Sequence, residues 1–198
     1  GTTIWHFSHI CAGAVIGKSC SIGQNILVAD NASLGNNVKV QNNVAIYGGI
    51  TVEDDVFLGP SCVLTNVTNP RSQVSRKSLY EKTLIKRGAT IGANATVVCG
   101  ITLGRYCFIG AGAVVTKDIV DYGLVLGNPG KLSGFMSRHW HKLKFDNGGR
   151  ATCLESNFSY EIVDGQVRCL DLDEEKPLPD DLSIGSKAYD SFRISETD

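Results

Sequence analysis

ATIGANATVVCGITLGRYCFIGAGAVV (89–115) places Ile91, Val97, Leu103, Ile109 and Val115 six residues apart. Glycine follows three of them, in Ile91-Gly92, Leu103-Gly104 and Ile109-Gly110, and Ala89, Ala95, Cys107 and Ala113 hold a second, small position of the hexad. A period of six fits neither a helix, with its 3.6-residue turn, nor a strand alternating every two residues. It fits a coil of short strands and corners, three hexads to a turn, with residues 18 apart lying above one another. Outward from this stretch the beat continues at Ile85. It also runs unbroken from Ile4 through Ile10, Ile16, Ile22, Val28, Leu34, Val40, Ile46, Val52 and Leu58 to Leu64. Asn36-Asn37, Asn42-Asn43, Gly48-Gly49 and Asp54-Asp55 fall between the beats, where corners need residues tolerant of unusual backbone angles. The reading is all-β: a left-handed parallel β-helix of hexapeptide repeats over residues 1–118, rather than a sandwich of alternating strands.

The beat fails between Leu64 and Ile85, which predicts an excursion loop over 66–83. A polar loop of that length in a compact repeat is usually functional. Residues 119–145 read as a turn at Gly127-Asn128-Pro129-Gly130 and then a short capping helix, because Leu132, Phe135, Met136, Trp140 and Leu143 follow helical spacing. Met136 and Trp140 there read as packing residues. Residues 146–198 read as a hairpin turning at Asp164-Gly165, followed by an acidic tail that is mobile or packed on a neighbour.

Of 198 residues, 19 are Lys or Arg and 20 are Asp or Glu, a net charge of −1. That balance predicts no nucleic-acid partner, and no apolar run is long enough to cross a membrane. The seven cysteines lack zinc-ligand spacing and read as reduced thiols of a cytoplasmic protein. Cys20, Cys62 and Cys107 fall on the inward small position, and Cys153 and Cys169 could face each other in the hairpin. The chain opens inside the repeat, which predicts a preceding segment. His6 and His9 cannot supply a three-histidine zinc centre on the coil, so no metal is expected.

Coil arithmetic stacks His6, Gln24-Asn25, Asn42-Asn43 and Pro60-Ser61 on one edge. A second edge carries Ala12-Gly13, Asp30-Asn31, Gly48-Gly49 and Asn66, with Cys99-Gly100 and Lys117-Asp118 above the loop. Asn66 therefore sits over a glycine pair, at the mouth of a groove along the axis.

IWHFSHI (4–10), IGQN (22–25), QNNV (41–44), GPSCVLTNVTNPR (59–71), SRK (75–77), ATIGANATVVCGITLG (89–104) and GAGAVVTKD (110–118) resemble the left-handed β-helix N-acetyltransferases of nucleotide-linked 3-amino sugars. The resemblance covers residues 1–145 and is most specific from GPS through NPR to SRK. It implies a cytoplasmic homotrimer with active sites between subunits and acetyl-CoA as co-substrate. The implied acceptor is the 3-amino group of a UDP-linked 2-acetamido-3-amino-dideoxyglucuronate used for bacterial surface polysaccharide. A dTDP-3-amino-3,6-dideoxyhexose is the alternative acceptor, and a non-catalytic β-helix binding module is the alternative of another class. By the resemblance Asn66 is the catalytic asparagine, holding the amine or the thioester carbonyl; the other reading is a corner asparagine at a left-handed angle. Arg76 and Lys77 match the family's Arg-Lys pair, suited to a carboxylate or phosphate, with Tyr80 beside them. His6, Asn25, Gln41, Asn42 and Asn43 are expected at the nucleotide end, or as a structural ladder. Gly100, Lys117 and Lys131 are expected along acetyl-CoA. The excursion loop has no histidine base, so the proton of the amine is expected to leave with the CoA sulfur.

Overall fold

A computed structural model of the chain describes residues 1–185 and 187–192. Its body is the β-helix that the hexads predict. Thr3–Ile4, Ser21–Ile22, Lys39–Val40, Phe57–Leu58, Thr90–Ile91, Phe108–Ile109 and Gly123–Leu126 stack in parallel as one face. A second face begins with His9–Ile10, Leu27–Val28 and Ala45–Ile46, and continues with Val63–Leu64, Thr96–Val97 and Val114–Val115. The third face carries Val15–Ile16, Ser33–Leu34, Ile50–Val52, Thr83–Ile85 and Thr102–Leu103. Partners lie 18 residues apart below the loop, as in Ser21↔Lys39, and 33 apart across it, as in Phe57↔Thr90. The excursion thus adds fifteen residues to one coil and leaves the register intact.

Each hexad turns its aliphatic residue and its small residue inward, and nearly all are buried from Cys20 to Val125. Full burial of such a side chain stabilises by roughly 1.5–3 kcal/mol before entropy is set against it. The corners are made by left-handed residues. Asn25, Asn43, Ser61 and Asn94 turn one edge, Asn31, Gly49 and Gly100 the second, and Ser19, Asn37, Asp55 and Gly88 the third. Asparagine and aspartate are chosen because a short polar side chain tolerates that backbone region.

The expected helix over 132–143 is not formed. Gly123–Leu126 and Lys131–Phe135 are the two strands of an antiparallel hairpin, turned at Gly127–Gly130. A register shift between Leu124 and Val125 inserts one residue into the hairpin. That extra residue puts Leu132 and Phe135 three apart, which reads as helical spacing. Gly134, at φ 138°, has a backbone no helix contains. Met136 is buried as expected, whereas Trp140 is half exposed with its ring against Phe108.

The three strands Arg150–Thr152, Ser159–Val163 and Gln166–Cys169 form a small antiparallel sheet. Its hairpin turns at Asp164-Gly165, both at positive φ, as the sequence predicts. Its core joins Tyr160, Ala151, Cys153 and Val167 to Tyr106 and Tyr122 on the third edge of the β-helix. Those two tyrosines occupy left-handed corners where asparagine stands lower down. Their rings stack on each other at 5.2 Å and Tyr122 meets Tyr160 edge-on at 5.5 Å, so packing across the junction holds them there.

Cys153 and Cys169 are both free thiols and do not pair. Part of the acidic tail has a definite place on its own chain. The hydroxyl of Tyr122 donates to the Glu174 carboxylate, and that of Tyr106 to the Glu174 carbonyl at 2.7 Å. Glu175 pairs with Arg105 at 2.6 Å and Arg87 at 3.5 Å, and Arg138 donates to the Asp173 and Lys176 carbonyls. The segment is a strap across the junction rather than a loose end; residues 193–198 of the tail lie outside the described residues. No helix among the described residues is long and apolar enough to cross a membrane.

Candidate active site

The second edge rises through Asp30-Asn31 and Gly48-Gly49 to the point where Asn66 leaves the coil and Glu81-Lys82 returns to it. The Glu81 N–H donates to the Asn66 carbonyl at 2.9 Å, and the Thr83 N–H to the Gly49 carbonyl at 3.1 Å, so the loop closes over the glycine pair. Cys99-Gly100 lies directly above: the Cys99 N–H donates to the Thr65 hydroxyl at 2.9 Å and the Gly100 N–H to the Thr83 hydroxyl at 3.2 Å. Asn66 is half-buried, and its carboxamide makes no hydrogen bond among the described residues. A donor and an acceptor are therefore presented at the mouth of the loop.

Glu81 is the residue that motif reading missed. One of its carboxylate oxygens, Oε1, accepts the Thr68 hydroxyl and the Thr68 N–H, the latter at 3.1 Å, and lies 3.6 Å from the Cys99 thiol. The hydroxyl bond, helped by the backbone one, holds the Glu81 carboxyl below the usual carboxylate range. The 33-residue register was the signal that could have found it, since it sets Glu81-Lys82 over Gly48-Gly49.

The rest of the loop tightens through a bridge between Arg71 and Val74 and a turn of 3-10 helix at Lys77–Leu79. Arg76 precedes that turn; its Nε is buried and has no hydrogen-bond partner among the described residues. Lys77 and Tyr80 are exposed on the same limb.

The structure does not bring every predicted residue to Asn66. His6, Asn25, Asn42 and Asn43 stand on the first edge, with Gln41 just before its corner, separated from Asn66 by the face of Leu27, Ala45 and Val63. There Asn25 donates through Nδ2 to Asn43 at 3.0 Å, and the Gln24 N–H donates to Asn42 Oδ1 at 2.8 Å. These asparagines form a ladder in which Asn42 satisfies corner backbone and Asn25 and Asn43 bond each other; His6 and Gln41 keep exposed side chains. Gly100 is exposed at φ 83°, one coil above the loop. Lys117 is exposed one coil higher, and Lys131 begins the hairpin strand next to the uppermost coil. No group of three or more His, Cys, Asp or Glu able to hold a metal ion occurs among the described residues.

A family profile for the bacterial transferase hexapeptide (six repeats) matches residues 31–66 and 82–117, and one for the hexapeptide repeat of succinyl-transferase matches 9–47. The gap between the first two segments is the excursion loop. A dTDP-3-amino-3,6-dideoxy-alpha-D-galactopyranose 3-N-acetyltransferase of Aneurinibacillus thermoaerophilus is 43% identical over 89 residues, 44% of this chain and 45% of the relative. The match spans less than half of that relative's length. Among solved structures, the H141A mutant of GDP-perosamine N-acetyl transferase from Caulobacter crescentus, in complex with CoA and GDP-perosamine, superposes with a TM-score of 0.58 at 19% identity, over 67% of this chain and 56% of that one. A maltose O-acetyltransferase from Clostridium difficile 630 superposes with a TM-score of 0.51 at 26% identity, over 67% and 71% of the two chains. Together with the coil register, the profile matches show that residues 9–66 and 82–117 are similar to bacterial transferase hexapeptide repeats.

Proposed function

We propose that this chain catalyses acetyl transfer from acetyl-CoA to the amine of a nucleotide-linked amino sugar. The observation that carries the reading is Asn66: an unengaged carboxamide at the mouth of a long loop, over a glycine pair, on a hexapeptide coil. The curated relative named for the same class of reaction, 43% identical over 89 residues, supports it. The amine nitrogen attacks the thioester carbon, the N–C bond forms, and the carbonyl electron pair moves to oxygen. Collapse breaks the C–S bond, and the nitrogen's surplus proton goes to the departing thiolate. Asn66 donates to the carbonyl oxygen as it gains charge or aligns the amine, since a fixed dipole aimed at developing charge lowers the barrier.

Gly100, with no side chain and an exposed backbone, leaves room for the pantetheine arm, and Lys117 and Lys131 offer cations for the CoA phosphates. The acceptor is a UDP-linked 2-acetamido-3-amino-dideoxyglucuronate, the substrate that the motif resemblance implies. Its carboxylate suits Arg76, whose Nε is buried without a partner among the described residues. The second reading, a dTDP-3-amino-3,6-dideoxyhexose, is favoured by the name of the curated relative. In the homotrimer that the motif resemblance implies, the outward residues Leu27, Ala45 and Val63 would be covered. The first edge, with His6 and Gln41, would then face Asn66 of a neighbour, which explains why one chain does not join the two sets.

Thiol release from acetyl-CoA with the UDP-uronate and the dTDP-hexose in parallel tests the acceptor. Release with the first alone sustains the uronate, preference for the second replaces it, and silence with both leaves a binding module. Asn66→Ala should lower turnover about a hundredfold while CoA binding persists; unchanged turnover would remove Asn66 from the chemistry.

A further inference from the structure

We propose that Glu81 is a catalytic residue of this site: its free carboxylate oxygen receives the acceptor amine and stabilises the positive charge that nitrogen gains on attack. The inference rests on the N-acetyl-transfer reading above and adds a residue to it.

The two oxygens of Glu81 have different surroundings. Oε1 is taken by the Thr68 hydroxyl and N–H and lies against the Cys99 thiol, which fixes the plane of the group. Oε2 makes no hydrogen bond among the described residues. It lies against Gly100, where a Cβ would come within 2.5 Å of it, so any side chain at position 100 would cover this oxygen. Gly100 has φ 83°, which independently favours glycine there. The Glu81 N–H donates to the Asn66 carbonyl at 2.9 Å, so the two residues share one corner. A fixed anion with one open acceptor, on the corner that carries Asn66 and against an exposed glycine, is a receptor for a nitrogen that becomes cationic.

The chemistry follows from charge rather than proton transfer. Held below the usual carboxylate range by Thr68, Glu81 is a poor store for a proton and a persistent anion. It accepts one N–H of the neutral amine, which aims the lone pair at the thioester. When the N–C bond forms, nitrogen turns positive, and the hydrogen bond becomes an ion pair. The interaction thus grows along the reaction, as catalysis requires. The proton still leaves with the thiolate, so Glu81 is regenerated unchanged.

Glu81→Gln keeps an oxygen for Thr68 and removes the charge. With the acceptor sugar that the wild type uses, kcat should fall about tenfold to a hundredfold. Affinity for the analogue bearing a hydroxyl in place of the amine should stay as in the wild type, because no cation forms on it. Glu81→Asp should recover part of the loss. An active wild type with an unchanged Glu81→Gln variant overturns the inference and spares the function. Loss of analogue binding together with turnover, with faster proteolysis between Thr68 and Tyr80, also overturns it, leaving Glu81 as a loop anchor. A wild type that acetylates no nucleotide-linked amine overturns the function itself, and this inference with it.

Discussion

Cys107 and Cys153 are both buried, yet their thiols are driven in opposite directions. Inside the β-helix burial dominates: it pushes Cys107 far up, with the Asp121 charge adding to it, and Cys62 up to about 12, in each case against a weaker backbone hydrogen bond. In the small sheet burial also acts to raise the Cys153 thiol. There the interactions with His139, Ser137 and Ser156 outweigh it and bring the group down to about 6. The Ser137 hydroxyl lies 3.2 Å from the sulfur and also accepts the His141 N–H, while His141 pairs with Glu155 at 2.9 Å. One region is apolar by repetition; the other is organised around polar groups that occur once. The first is coded by a period and the second by individual contacts.

The widest test of that difference is Ile91→Ala. Ile91 is fully buried in the middle of the stack, and the cavity should cost about 2–5 kcal/mol. Calorimetry should show the main transition shifted down, with no compensation from coils on either side. A shift well below that range would mean that neighbouring hexads collapse into the space and that the stack is less rigid than a close-packed core.

A smaller effect is expected at the junction of the two regions. Tyr122→Phe removes the hydroxyl that donates to Glu174 and leaves that carboxylate short of a partner, at a cost of about 1–3 kcal/mol. The strap should then be cut faster by protease between Asp171 and Pro179 while the β-helix transition stays in place. Equal loss in both measurements would show that the sheet and the coils unfold as one unit.

The smallest effect, and the sharpest, is a titration. Thiolate absorbance for one cysteine should appear as pH rises through about 6, because Cys153 ionises there, and it should be missing from Cys153→Ser. Relative to an unfolded thiol near about 8.5, the depressed value stabilises the fold above that pH, and the contribution is lost as pH falls through about 6. His139 is raised, chiefly by Cys153, so its own contribution is present at low pH and lost as pH rises. His139→Gln should move the thiol midpoint upward; an unmoved midpoint would assign the effect to Ser137 and Ser156 alone.

Legibility followed the same division. Every inward aliphatic residue from Ile22 to Leu64 was readable because eleven hexads repeat one instruction, and stacking by 18 places Gly48-Gly49 beneath Asn66 without further information. The hairpin at 123–135 was not readable, since a single inserted residue mimics helical spacing. Tyr106 and Tyr122 at left-handed corners were equally hidden, because their reason lies in Tyr160, far along the chain. In the site, Asn66 was accessible through its motif and its edge. Glu81 looked like one more charge on a polar loop until its carboxylate was seen tied to Thr68. The residues expected at the nucleotide end sit across a whole face from Asn66, as the stacking of the hexads into two separate edges already implies.

The loop adds its fifteen residues without disturbing the pairing on either side, for Thr83 meets Ile50 as it would in an uninterrupted coil. It behaves as a cassette in a socket. Both ends of the socket, Leu64 and Thr83, are set by the coil and not by the cassette. The stretch from Thr65 to Lys82 can therefore drift, or be transplanted between related chains, while the scaffold is inherited whole. A chimera built on those two junctions would keep the coil pairing on either side of the loop.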